Sequence, residues 1–108
     1  MDAWERRPLM DNIDDMRRRI DSIDDELLRL FNERAKLATD IGRIKKTLGL
    51  PIYIPSREEE ILTRVQRDNP GPLAPDAIAR LYQQLIEESK KLEDVEHQPR
   101  SDASDSTL

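Results

Sequence analysis

The sequence predicts an all-α chain of three helices, one of them very long, that completes its core by intertwining with a second copy of itself. Three observations carry that expectation. Apolar residues recur three and four apart from Ile13 through Met16, Ile20, Ile23, Leu27, Leu30, Leu37, Ile41 and Ile44 to Leu48, which is the spacing of one helix face. β-Branched residues do not alternate with polar ones outside the short PIYIP stretch, so strand signals are almost absent. Charged residues make up 38% of a chain of only 108, which leaves a lone monomer little apolar mass for a core.

The first helix is expected from about Asp11 to Leu48, closed by Gly49 and Pro51, a helix stop followed by a breaker. At 1.5 Å per residue it would be roughly 55 Å long, longer than a globule of this size is wide. Two shorter helices of the same chain cannot cover such a seam, hence the homodimer. The second helix is expected to start at Ser56, where Ser56 and Glu59 read as a capping box; it carries Ile61, Leu62 and Val65 and ends at DNPGP. The third opens with Pro75 and Asp76 and runs to about Glu93, with Ile78, Leu81, Tyr82, Leu85, Ile86 and Leu92 on one side. The predicted organisation is a flexible N-terminus over 1–10, a helical domain over 11–94 and a disordered tail over 95–108, without internal repeats.

Composition excludes several kinds of chemistry. There is no cysteine, and the single histidine, His97, cannot build a metal site or a catalytic triad alone. No metal and no cofactor are expected. The N-terminal MDAWERRPLMDN lacks the apolar stretch of a signal peptide, and no apolar run approaches the ~20 residues of a membrane span, so a soluble cytoplasmic location without membrane contact is the expectation. A formal charge of −5, with one Trp, two Tyr and one Phe, argues against nucleic acid as a partner.

Several polar residues stand where apolar ones belong. Arg34 occupies the seam of the first helix, and a buried guanidinium costs several kcal/mol unless it is paired. A salt bridge to Asp24 or Glu88, a polar residue that sets helix register, local fraying and a bound anion all remain open as explanations. At 100° per residue, Lys45 lies only about 20° from Arg34 on the same face, three turns further on. Arg17 is rotated by roughly 100° from Arg34 and is about 25 Å distant along the helix. It can share a pocket with Arg34 only across an antiparallel partner; its neighbours Arg18 and Arg19 equally suit a solvated basic run. In the third helix the apolar face continues from Leu85 to Ser89 and Glu93, and Arg57 and Glu58 stand in the first turn of the second. As a set, these residues suit a small polyanion whose reaction needs positioning and electrostatics rather than a nucleophile.

The order of motifs resembles the all-α chorismate mutases, most of all the N-terminal mutase domain of bifunctional mutase/prephenate dehydratases. It comprises M-R-x-x-I-x-x-I-D-x-x-L-L-x-L-x-x-E-R from Met16 to Arg34, I-G-x-x-K from Ile41 to Lys45, P-x-Y-x-P-x-R-E from Pro51 to Glu58, GPL, and IEES-x-x-x-E from Ile86 to Glu93. The resemblance covers about residues 11–94. It implies an intertwined homodimer with two equivalent sites, each converting chorismate to prephenate by a Claisen rearrangement, as in phenylalanine and tyrosine biosynthesis. Arg17, donated by the other subunit, and Arg34 would clamp the two substrate carboxylates. Lys45 and Glu93 would address the ether oxygen, Arg57 and Ser89 the ring carboxylate, and Glu58 the ring hydroxyl. A shikimate-pathway or prephenate-processing enzyme, as a partner or fused on the same chain, is the implied neighbour.

Two departures from the family pattern bear on mechanism. Ile54 stands where many members have an aspartate, which leaves Glu58 alone to accept from the hydroxyl. Glu93 stands where some members have glutamine, and a carboxylate there assists the ether oxygen only when protonated. Desolvation favours that protonated form, whereas Lys45 and the arginines oppose it. Two alternatives remain: an isochorismate-pyruvate lyase, which would carry an apolar residue in place of Glu58, and a weakly active dimer module that regulates a partner enzyme of the shikimate pathway.

Overall fold

The computed structural model describes residues 2–97, with side chains through Glu93. They form three helices, α1 (Ala3–Leu48), α2 (Pro55–Asp68) and α3 (Pro75–His97), with no strand among the described residues. The all-α expectation holds. By its internal contacts the chain divides into residues up to Arg34 and residues from Ala35 onward.

α1 starts eight residues earlier than the expected start at Asp11, and Pro8 lies inside it. Most of the segment expected as a flexible N-terminus is therefore helical. Pro8, the sixth residue of the helix, lacks the N–H that would donate to the Trp4 carbonyl, so one helical bond is missing there. Glu5 lies in the first turn, where a negative charge complements the dipole, and the Asp2 carbonyl accepts from the Glu5 and Arg6 N–H groups at 3.1 and 3.2 Å. Within the first unit every described residue before Arg34 is exposed. The seam side chains are among them: Ile20 is 54% and Leu27 40% exposed. Surface pairs such as Arg29 with Glu33 at 2.8 Å decorate the same helix and contribute little, being solvated.

The second unit has a small core, in keeping with the composition. Ile61 of α2 and Ile86 of α3 are its buried apolar side chains, and these two helices pack on one another. Thr39 and Gly42 are buried in the C-terminal part of α1. α1 ends in a paired set of turn bonds: the Leu50 N–H donates to the Lys45 carbonyl at 2.8 Å and the Gly49 N–H to the Lys46 carbonyl at 3.2 Å. Gly49 adopts φ 71°, a conformation that costs a residue with a Cβ about 1 kcal/mol. A Cβ there would meet nothing within 4 Å. Gly49→Ala is therefore expected to lower the unfolding free energy by about 1 kcal/mol, read as a shifted midpoint with unchanged slope in urea titration.

The expected capping box does not form. α2 begins one residue earlier, with Pro55 in its first turn and Ile54 as N-cap, and no side chain caps it. Proline suits that place because its missing N–H would have lacked a helical partner anyway. Ser56 is thereby moved into the helix, and the Ile54 carbonyl accepts from the Arg57 N–H at 3.0 Å instead. Asn69 organises the turn to α3: its side-chain amide donates to the Leu73 carbonyl at 2.7 Å, and its oxygen accepts from the Gly71 N–H at 3.2 Å. α3 opens at Pro75 as expected and continues to His97, one turn beyond Glu93. Residues 95–97 of the expected tail are thus helical, and 98–108 lie outside the described residues.

Candidate active site

The turn that ends α1 determines what Lys45 touches. Because the chain reverses at Gly49, the loop returns the Ile52 carbonyl to Lys45 Nζ, which donates to it at 3.4 Å. The Lys45 side chain is half-buried. A bond that long is weak and exchangeable, so the ammonium is held near the loop yet remains available to a better acceptor.

α2 presents Arg57 and Glu58 in opposite ways, because neighbours on a helix differ by 100°. Arg57 is exposed and pairs with Glu60 on its own helix. The Glu58 side chain is 17% exposed, and its Oε2 meets Lys90 Nζ of α3 at 2.9 Å. Lys90 also reaches Glu87 Oε1 at 3.3 Å and lies 4.1 Å above the ring centroid of Tyr53 in the loop. The hydrogen bond from Lys90 to Glu58, with a further contribution from Glu87, raises the ammonium above the usual lysine range against the opposing effect of desolvation.

Ser89 is 5% exposed, the most buried polar side chain described. Its hydroxyl donates to the Leu85 carbonyl one turn back at 3.0 Å, which satisfies it without a ligand and leaves its lone pairs as acceptors. Glu93, one turn further on, is half-buried. In α1, Arg34 is half-buried and Arg17 exposed. Neither carboxylate that the sequence offered as a partner for Arg34 takes that role: Glu88 accepts from Lys91 at 3.0 Å and Gln84 at 2.8 Å, and among the described residues no carboxylate pairs with Arg34.

The fold therefore brings Glu58 onto Lys90 of α3 and fastens Lys45 to the loop before α2, while Arg57 turns to solvent. Sequence reasoning missed Lys90 and Tyr53. The available signal was that Lys90 stands four residues after the buried Ile86 and next to Ser89, where the apolar face of α3 is interrupted. Among the described residues no helix is long and apolar enough to cross a membrane.

Comparison with known proteins agrees with the motif order and the three-helix fold. A family model described as chorismate mutase type II matches residues 16–94. The chain is 42% identical over 88 residues to a bifunctional chorismate mutase/prephenate dehydratase of Aquifex aeolicus, covering 78% of this chain but 24% of that protein. It thus spans about a quarter of the length of that relative. A chorismate mutase of Methanocaldococcus jannaschii is 35% identical over 86 residues, with 79% of this chain and 87% of that protein covered. Among solved structures, a chorismate mutase from Thermus thermophilus superposes with a TM-score of 0.75 at 40% identity, covering 77% of this chain and 94% of its own. Motif order, helix arrangement and these matches lead to one conclusion: the chain belongs to the type II chorismate mutase family.

Proposed function

We propose that this chain is a chorismate mutase that works as a homodimer, converting chorismate to prephenate without a cofactor. The observation that carries the reading is Arg34: a half-buried arginine with no carboxylate partner among the described residues, in a chain of this family. Such a cation is stabilised when an anion takes the place of the missing partner. The reaction is unimolecular, so the protein assists by holding the compact chair-like conformer and by stabilising charge that develops on the ether oxygen. In this assignment Arg34 and the partner's Arg17 clamp the two carboxylates. Lys45 and protonated Glu93 donate to the ether oxygen, Arg57 and Ser89 serve the ring carboxylate, and Glu58 accepts from the ring hydroxyl. The homodimer is supported by the exposed apolar seam of α1, a face that an isolated helix does not keep stable in water. The relatives that join a mutase to a prephenate dehydratase make an enzyme that consumes prephenate the natural neighbour, in trans or on the same polypeptide.

The test is the loss of chorismate with purified protein, with prephenate identified by NMR and the mass in solution measured on the same sample. Turnover by a dimer supports the reading. A folded protein without turnover overturns it, and release of salicylate from isochorismate would then identify a lyase.

The role of Glu93 predicts a sign for the pH dependence. As pH rises through its bound-state titration the carboxyl loses the proton that it donates, so activity falls on the alkaline side. Glu93→Gln keeps a donor at every pH, and its kcat/KM profile is expected to be flat where the wild type declines. Parallel profiles for the two proteins would refute this role.

A further inference from the structure

The ammonium of Lys90 joins three parts of the second unit. It meets Glu58 of α2 at 2.9 Å, Glu87 of its own helix at 3.3 Å, and the face of Tyr53 in the loop at 4.1 Å. Its side chain is 30% exposed and that of Glu58 17%, whereas in the ion pairs Arg18–Asp15, Arg29–Glu26 and Arg67–Asp68 every side chain is more than half exposed. A contact this sheltered is screened less than a surface pair and holds its geometry better.

Glu58 has two oxygens, and Lys90 occupies Oε2. The carboxylate is thereby fixed in rotation, and Oε1 is left as the acceptor. Its charge is also balanced, which matters where the ligand is a dianion: an unpaired Glu58 would repel it. The Ile54 side chain, one residue before α2, offers no acceptor, so the orientation of Glu58 decides whether a hydroxyl is met. The Tyr53 contact acts on the loop in the same direction. A cation over an aromatic face is attracted to it, and the loop so fastened is the one whose Ile52 carbonyl holds Lys45.

On the basis of the function proposed above, we infer that Lys90 is a positioning residue: it holds Glu58 with one carboxylate oxygen presented to the substrate's ring hydroxyl and fastens the loop through Tyr53. Lys90 itself touches no reacting atom. It acts on ground state and transition state alike, so its removal weakens binding more than it slows the chemical step.

The experiment is steady-state kinetics on chorismate with the full chain, comparing wild type, Lys90→Met, Lys90→Arg, Glu58→Gln and the double variant Lys90→Met/Glu58→Gln. Lys90→Met is expected to raise KM roughly tenfold with kcat within about twofold, and Lys90→Arg to restore most of the loss. In the Glu58→Gln background Lys90→Met is expected to add little, because its action passes through that carboxylate. Lys90→Gln is measured beside Lys90→Met, so that the comparison survives if the apolar replacement does not fold. An unchanged KM in both neutral variants overturns the inference, as does an equal penalty with and without Glu58, the signature of a merely structural role. Either result leaves wild-type turnover, and with it the proposed function, intact. Absence of wild-type turnover overturns both.

Discussion

Replacing Arg34 by alanine is expected to lower kcat/KM for chorismate by at least about a hundredfold, on the order of 3 kcal/mol, while helical content and the mass in solution stay unchanged. The wild-type Arg34 is half-buried as a residue and pairs with no carboxylate among the described residues, so its removal breaks no internal ion pair. The loss falls on the complex with substrate. Both constants should change, because in the proposed role a residue that binds a substrate carboxylate also selects the conformer in which the two carboxylates approach. Arg34→Lys retains the charge without the planar fork that grips a carboxylate through two hydrogen bonds and should fall between the two proteins. A near-normal kcat/KM in Arg34→Ala would assign the arginine to structure rather than to substrate.

Lys45→Met is expected to act mainly on kcat, reducing it by about a hundredfold to a thousandfold, or roughly 3–4 kcal/mol, with a smaller change in KM. The ether oxygen gains charge only as its C–O bond breaks, so a donor aimed at it is worth more in the transition state than in the ground state. In the free protein the Lys45 ammonium donates to the Ile52 carbonyl at 3.4 Å, a long bond that a developing oxyanion displaces readily. The same contact gives methionine a defined cost: the Ile52 carbonyl loses a donor at the edge of a loop that water reaches, and stability should change little. A kcat that survives, with KM raised instead, would place Lys45 on a carboxylate and away from the ether oxygen.

Much of this was legible in the residues themselves. Apolar spacing and the punctuation at Gly49, Pro51, Asn69 and Pro75 were enough to locate three helices and the joints between them, because helix formation is governed by neighbours within a turn or two. The interrupted faces at Arg34, Lys45, Ser89 and Glu93 stood out for the same reason: a break in a short period is visible in a short window. The start of α1 was the exception. Before Ile13 no apolar period announces the helix, and Pro8 imitates a boundary although the helix runs through it at the loss of one backbone hydrogen bond.

Which residues meet was decided elsewhere. Ser56 and Glu59 have the spacing of a cap, yet Pro55 begins the helix one residue sooner and Ile54 takes the cap position. Glu58 and Lys90 are distant in sequence and become partners only because α2 packs on α3; their neighbours Arg57 and Lys91 satisfy themselves within their own helices. The sequence by itself determined the helices, the family and the residue types available for binding a dianion, since periodicity and composition are local properties. The tertiary structure decided which carboxylate is sheltered, which cation holds it and which loop they fasten, because those depend on the direction of side chains across a packed interface, and a shift of one residue along a helix turns a side chain by 100°.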